Sequence, residues 1–482
     1  MLFNSIEFAI FLPIAFFLYW FVVKKNLRYQ NLLVVMLSYF FYGWWDWRFL
    51  SLIFFSTIVD YTVGLGLKKQ ENKTKRMLLL WTSIVVNLGF LGVFKYYNFF
   101  LDSLYDVIPG LQAVTGFNTL EIILPVGISF YTFQTLSYTI DVYKGKLQPT
   151  KDFVAFAAFV SFFPQLVAGP IERATNLLPQ FLNKRTFDYS KAVDGMRQIL
   201  WGLFKKIVIA DNCAEFANLI FANSEAYSGS TLLLGALFFT FQIYGDFSGY
   251  SDIAIGTARL FGFNLMQNFA FPYFSRDIAE FWRRWHISLS TWFRDYLYIP
   301  LGGSRGGTWM KIRNTFIIFT VSGFWHGANW TFIVWGALNA IYFLPLLLAK
   351  KNRSHLGEIA EGRILPTLKE ATGILTTFGL TVVGWIFFRA ENIGHALQYV
   401  AGLFSPSLFS LPDFPGIGKA LIALFLVLIF LLIEWKGRDQ QYAIEKLGLR
   451  WSTPVRYAMY YAFILAIYLF GGTQQQFIYF QF

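Results

Sequence analysis

The sequence predicts an all-α, polytopic integral membrane protein, and three observations predict it. Of 482 residues, 56% are hydrophobic and only 14% charged, where a soluble domain runs at about 45–50% apolar and about 25% charged. Aromatic residues make up 21%, and mean hydropathy is +0.48. Long apolar runs alternate with clusters of Lys and Arg. Together these exclude a soluble globular protein, a disordered chain and a secreted disulfide scaffold. At about 20 residues per crossing, the apolar pool supplies on the order of ten membrane helices.

The formal charge of +12 suggests either a nucleic-acid partner or the enrichment of Lys and Arg in cytoplasmic loops. Position decides between them. The apolar run 8–23 has no Lys or Arg before it and is followed by Lys24, Lys25 and Arg28. A signal peptide carries the reverse charge order and a small-residue cleavage site, so this is an uncleaved first span with its N-terminus outside. Residues 31–67 read as two spans around an aromatic turn at Tyr42 to Trp47, whose tryptophans suit an interfacial belt. Lys68, Lys69, Lys73, Lys75 and Arg76 then place the next loop in the cytoplasm. A fourth span, 77–99, leads to 101–120, which holds Asp102 and Asp106 but no Lys or Arg and belongs outside. The span 121–143 returns to Lys144, Lys146 and Lys151, and an apolar run covers 152–169. Basic clusters at 184–206, 276–313, 350–369 and 436–456 alternate with Lys- and Arg-free stretches at 222–230 and 390–418. Topology therefore accounts for the charge, and nucleic-acid binding loses its support.

The expectation is about 11 transmembrane helices in a single membrane domain over 1–482. Two segments resist a simple count. Residues 314–349 form an apolar block long enough for two short crossings, interrupted by Gly323-Phe324-Trp325-His326-Gly327. Residues 241–256 carry Asp246 and Asp252 beside Gly245, Gly249 and Gly256, which reads as broken or re-entrant backbone. Such backbone is tolerated at membrane depth only against protein or a water-filled cavity, so a central cavity is expected.

Histidine is scarce: His286, His326, His355 and His395. His355 and His395 fall in polar loops and read as solvated. His326 lies between apolar runs, where an ionisable group is costly unless it faces a partner or a cavity. It is either a histidine bonded across helices or a functional one, and Gly323 and Gly327 favour function by opening the backbone to a substrate. Around His286, Ile278, Phe281, Trp282, Trp285, Leu289, Trp292, Phe293 and Tyr296 recur at helical spacing over 276–300. Glu280, Arg283, Arg284 and Arg294 lie opposite, which predicts an amphipathic helix in the cytoplasmic interface. His286 projects from the edge of its apolar stripe and is equally readable as an interfacial residue. The loop 301–307, glycine-rich with Arg305, has the makings of a phosphate cradle but matches no phosphate-loop pattern. Asp246 and Asp252 read as structural polar groups or as orienters of a catalytic histidine. With no His or Cys near them, and Cys213 the one thiol of the chain, no metal site is expected.

Three stretches carry a resemblance: residues 280–290 (EFWRRWHISLS), 298–303 (YIPLGG) and 322–330 (SGFWHGANW). With the segments 163–171 and 246–256 and the C-terminal Phe477-Ile478-Tyr479-Phe480, they make the whole chain resemble the membrane-bound O-acyltransferase family. Within it, the chain is most similar to the bacterial alginate O-acetyltransferase branch. The resemblance implies a ring of membrane helices, with re-entrant and interfacial helices, around a central tunnel that joins a cytoplasmic donor to an acceptor outside. It implies that His326 is the catalytic base or acyl relay and His286 the second histidine, with Asp246, Asp252 and Asn329 in support. Arg283, Arg284 and Arg305 would engage the donor, which the resemblance makes acetyl-CoA; no bound cofactor is expected. The implied acceptor is an envelope polysaccharide, the implied partner an extracytoplasmic acyltransferase protein, and the implied location the bacterial cytoplasmic (inner) membrane. The alternatives are a D-alanyl transferase of teichoic acid fed by a carrier protein, and a non-catalytic polysaccharide transporter.

Overall fold

The computed structural model describes residues 1–108, 110, 118–472 and 475–478. Part of the outer loop, 109 and 111–117, and Tyr479 and Phe480 of the C-terminal motif lie outside the described residues. Among the described residues every element is helical, the solution open to a chain that must satisfy its backbone polar groups away from water. Among the described residues six helical segments are long and apolar enough to cross a membrane: Leu27–Lys69, Lys73–Val107, Gly229–Leu260, Trp330–Leu348, Leu368–Arg389 and Ile417–Lys436. Ile6–Val22 and Phe153–Leu166 are shorter apolar stretches. The chain divides into two compact units, Met1–Val193 with Thr257–Met266, and Asp194–Gly256 with Gln267–Phe482.

The first unit begins with α1 (Ile6–Phe17), α2 (Leu27–Asp46), α3 (Leu50–Lys69), α4 (Lys73–Leu91) and α5 (Tyr97–Val107). It continues with α6 (Ile128–Tyr143), α7 (Phe153–Ser161), α8 (Phe163–Leu166) and α9 (Ala174–Leu182). Starts are set by short polar side chains: Asn26 accepts from the Arg28 and Tyr29 N–H groups, and Asn72 does the same for α4. The turn comes later than expected: Tyr42 to Asp46 continue α2, and the chain turns through a 3-10 stretch at Trp47–Phe49. Asp60 of α3 is fully buried and accepts from Ser83 (2.5 Å), Asn87 (2.9 Å) and Thr139 (3.0 Å). Those donors come from α4 and α6, so one carboxyl ties three helices together where apolar contact alone gives little selectivity.

The second unit is built on α10 (Tyr189–Leu203), α11 (Asp211–Ala222) and α12 (Gly229–Leu260), with a π-helical stretch at Phe204–Ala210 between the first two. Here the structure corrects the reading of 241–256: α12 is one uninterrupted helix. Its glycines serve packing instead of breakage. A Cβ on Gly249 would meet Gly202 O at 2.8 Å, and one on Gly256 would meet Gly195 O at 2.5 Å, so the two helices approach backbone to backbone. The aspartates of α12 are neutralised by α10's continuation. Lys205 Nζ lies 2.6 Å from Asp252 Oδ2, and Lys206 Nζ lies 2.9 Å from Asp246 Oδ1 and 2.8 Å from Asp211 Oδ1. Lys205 and Lys206, at the end of the basic cluster 184–206, are therefore not loop lysines. They are buried ion-pair partners, and the wider π-helical turn lets two successive lysines both face inward.

Next come α13 (Ile278–Arg284) and α14 (Ile287–Phe293), then α15 (Thr308–His326) and α16 (Trp330–Leu348). The single amphipathic helix expected over 276–300 is therefore two short helices, parted at Trp285 and His286. His286 takes a left-handed backbone, φ 44°, which ends the helical spacing on which the stripe was counted. The block 314–349 is the expected pair of helices, α15 and α16, turned at Gly327 to Asn329. Gly323 does not open this backbone to a substrate. It lets the hairpin close, because a Cβ there would lie 2.1 Å from Phe332 O, and one on Gly336 2.4 Å from Phe319 O. Gly323→Ala is expected to cost about 1–3 kcal/mol through overpacking, seen as a lower Tm of the detergent-purified protein. Gly379→Ala is the control, since nothing lies within 4 Å of that position; equal Tm values for the two variants would refute the close packing. The unit ends with α17 (Leu368–Arg389), α18 (Ile393–Leu403), α19 (Ile417–Lys436) and α20 (Thr453–Leu469).

Candidate active site

His326 is the last residue of α15, and the turn beyond it is pinned by Asn329. The Asn329 side chain caps α16 by accepting from Thr331 N–H at 3.0 Å and donates to the Glu391 carbonyl at 2.9 Å. The imidazole is 3% exposed and boxed by the rings of Trp325 (5.0 Å between centroids), Trp335 (5.2 Å) and Phe388 (5.4 Å). His286 starts α14. Its ring stands edge-on to Phe247 at 4.6 Å, and its Nδ1 is 3.1 Å from Asn268 Oδ1. Burial pushes its pKa below the ordinary histidine value, so the ring is neutral at physiological pH. The two imidazole centroids are 6.4 Å apart, although 40 residues separate them in the chain.

A cavity of about 230 Å³ lies against both helices that carry these histidines. Thr315, Ile318, Phe319 and Ser322 form its α15 wall, a single helical face that ends one turn before His326. Leu289, Ser290 and Phe293 of α14 form another wall. Ser304, Asn352 and Arg353 bring polar groups to it from the loops, and these loops belong to two of the basic clusters of the sequence. The space is thus mainly apolar, with hydroxyls of Ser290, Thr315 and Ser322 along its walls and charged groups from Arg294 and Arg353. It suits a flexible chain with a charged head.

The remaining candidates fall in different places. Arg283 donates to the carbonyls of Asn352 (2.9 Å) and His355 (2.8 Å). Arg284 pairs with Glu280 at 3.0 Å and donates to the Ala270 carbonyl. Both hold the loop structure beside the cavity, and neither is among its lining residues; nor is the exposed Arg305. Burial alone would raise the Glu280 pKa, but hydrogen bonds from Arg276 and the charge of Arg284 hold this carboxyl below the ordinary range. Asp246 and Asp252 meet lysines, as described, and the histidine-orienting contact comes from Asn268. Asp246 also accepts from Ile478 N–H at 2.8 Å, and Phe477 packs on Tyr250 (4.7 Å) and Phe247 (6.1 Å). The described part of the C-terminal motif therefore sits beside the ring that faces His286. Among the described residues no group of three or more His, Cys, Asp or Glu could hold a metal ion. Asn268, Ser322 and Arg353 were not singled out in the sequence. An amide in an apolar stretch was the one available signal for Asn268, and nothing in its spacing linked it to His286.

The family model of the membrane-bound O-acyltransferases matches residues 148–356. The chain is 43% identical over 447 residues to a probable alginate O-acetylase of Pseudomonas aeruginosa, covering 92% of this chain and 82% of that protein. The chain belongs to the membrane-bound O-acyltransferase family. It is a multi-pass membrane enzyme of the O-acyltransferase class. The matched region holds both histidines, Asn268 and every residue that lines the cavity. A peptidoglycan O-acetyltransferase of Helicobacter pylori is 37% identical over 84% of this chain and 80% of its own length. A teichoic acid D-alanyltransferase of Streptococcus thermophilus is 30% identical over 55% of this chain and 68% of its own length.

Proposed function

We propose that this family member is a membrane O-acetyltransferase. It would take an acetyl group from acetyl-CoA on the cytoplasmic side and move it toward hydroxyls of an extracytoplasmic polysaccharide, in a bacterial inner membrane. The observation that carries the reading is the cavity, whose α15 wall leads from the basic loops to within one turn of His326. The likeness to O-acetylases over most of the chain favours acetyl over D-alanyl as the group moved, and the partial likeness to the D-alanyltransferase supports the same kind of chemistry.

In this reading the thioester arm lies along the apolar walls, with the donor's phosphates near Arg353. The donor arginines are then revised from Arg283, Arg284 and Arg305 to Arg353, since the first two are committed to carbonyls and Glu280. His326 takes the proton of the attacking hydroxyl as its oxygen bonds to the thioester carbon, and the carbon–sulfur bond breaks to release the thiolate. An imidazole suits that task because its ordinary pKa is near 6.5. A hydroxyl of an extracytoplasmic acyltransferase partner can receive the acetyl first and complete the transfer to the polymer.

The test uses purified protein in sealed vesicles with radiolabelled acetyl-CoA. Acetylation is expected when donor reaches the face bearing Ser304 and Arg353, and not from the opposite face. Arg353→Gln is expected to raise donor KM about tenfold, the loss of one charge-assisted hydrogen bond to phosphate. Use of the donor from the opposite face alone, or turnover with a D-alanyl carrier protein instead of acetyl-CoA, would overturn the proposal.

A further inference from the structure

We propose that Asn268 is a positioning residue that fixes His286 as one neutral tautomer, protonated on Nδ1, so that Nε2 carries the lone pair. The functional weight of this rests on the proposed function, with His286 as the second histidine of the acyl-transfer site; the tautomer itself does not.

The oxygen and nitrogen of the Asn268 amide are distinguished by their hydrogen-bond partners. The backbone N–H of Ser288 meets one side-chain atom of Asn268 at 3.3 Å. A backbone N–H has no acceptor capacity, so that atom is the oxygen. The amide nitrogen then donates to Ser251 Oγ of α12 at 3.1 Å. His286 Nδ1 lies 3.1 Å from the same oxygen, and a carbonyl oxygen only accepts, so Nδ1 carries the proton. The Ser288 hydroxyl agrees. It donates its hydrogen to Asn268 Oδ1 at 2.8 Å, which leaves a lone pair facing His286 Nδ1 at 3.4 Å. Both polar neighbours of Nδ1 are thus acceptors. A neutral imidazole has one N–H, and Asn268 locates it.

The same residue holds the backbone. The carbonyl of Asn268 accepts from Ile287 N–H at 2.9 Å, and two residues on Ala270 N–H donates to the Arg284 carbonyl at 2.9 Å. Asn268 therefore grips three successive residues, 286 to 288, across the left-handed bend that breaks α13 from α14. A left-handed conformation is uncommon for residues other than Gly, although Asn, Asp and His adopt it more readily than most, and these bonds hold His286 in it. The edge-on Phe247 ring at 4.6 Å sets the remaining rotation of the imidazole. Position, ring plane and tautomer of His286 are all set from outside its own helix.

The chain has four histidines, so ¹⁵N-histidine labelling of the full-length protein in bilayers gives a spectrum simple enough to assign by difference against His286→Gln. At neutral pH the wild-type His286 signals are expected to report a protonated Nδ1 and an unprotonated Nε2. In Asn268→Ala the two tautomers should mix, while Asn268→Asp, which keeps an acceptor oxygen, should retain Nδ1–H. With activity as readout, Asn268→Ala is expected to lower kcat by up to about a hundredfold with donor KM unchanged, since Asn268 does not line the cavity. Finding Nε2–H in the wild-type protein, a measurement independent of any variant's folding, overturns the proposal. So does an Asn268→Ala spectrum identical to wild type. Full activity in His286→Gln would overturn the functional role of His286 alone and leave the tautomer assignment standing.

Discussion

His326→Ala is expected to abolish acyl transfer while the protein still inserts and folds. A positioned general base is typically worth about 10²–10⁴-fold, and a group that relays the acyl itself would be worth more. His326 ends α15 and packs against Trp325, Trp335 and Phe388, so truncation leaves a small cavity lined by rigid rings while the hairpin contacts at Gly323 and Gly336 remain. His326→Gln, closer in size, separates chemistry from packing and should be as inactive. The measurement is acetylated polymer in membranes with matched protein levels; wild-type acetylation by either variant would refute the assignment. His286→Ala is expected to weaken activity without necessarily removing it, in keeping with a supporting role.

The largest effect on stability is expected from Lys206→Met. Lys206 Nζ is held between Asp246 and Asp211 and donates to the Gln475 carbonyl at 3.3 Å. Removing the cation leaves two carboxylates facing each other away from water. Breaking a buried ion pair from one side typically costs about 3–5 kcal/mol, enough to deplete the folded protein in membranes and to lower its Tm sharply. The double substitution Lys206→Met with Asp246→Asn should recover part of the loss, because it also removes one uncompensated charge. An unchanged Tm in the single variant would mean that the pair does not hold α12 to the preceding helix.

How far the sequence reads toward this site differs from residue to residue. His326 stood out as a candidate because one imidazole between two apolar runs is costly without a purpose. The helix pairs of 31–67 and 314–349 were legible because length and apolar content decide them, although in the second block only Trp330–Leu348 is long and apolar enough to cross a membrane. Asp246 and Asp252 were visible as intramembrane charges, but their partners were not, since Lys205 and Lys206 lie about forty residues away and resemble loop lysines in sequence. The glycines of 241–256 and Gly323 were visible too, and misread. A glycine that admits a neighbouring backbone and one that breaks a helix look alike until the neighbour is known.

Composition, the charge asymmetry of the loops and the unusual motifs thus determined an all-helical membrane protein with His286 and His326 as its outstanding residues. These are local quantities, summed over windows of chain that the bilayer and the positive-inside bias act on directly. Only the tertiary structure decided that α12 is continuous, that the helix around His286 breaks, and that Asn268, and not an aspartate, orients the ring. It alone placed Arg353 beside the cavity and turned Arg283 away from it. Each of these depends on which groups meet across a helix interface or a loop, and for buried charges and hydrogen bonds the partner's position sets the energy.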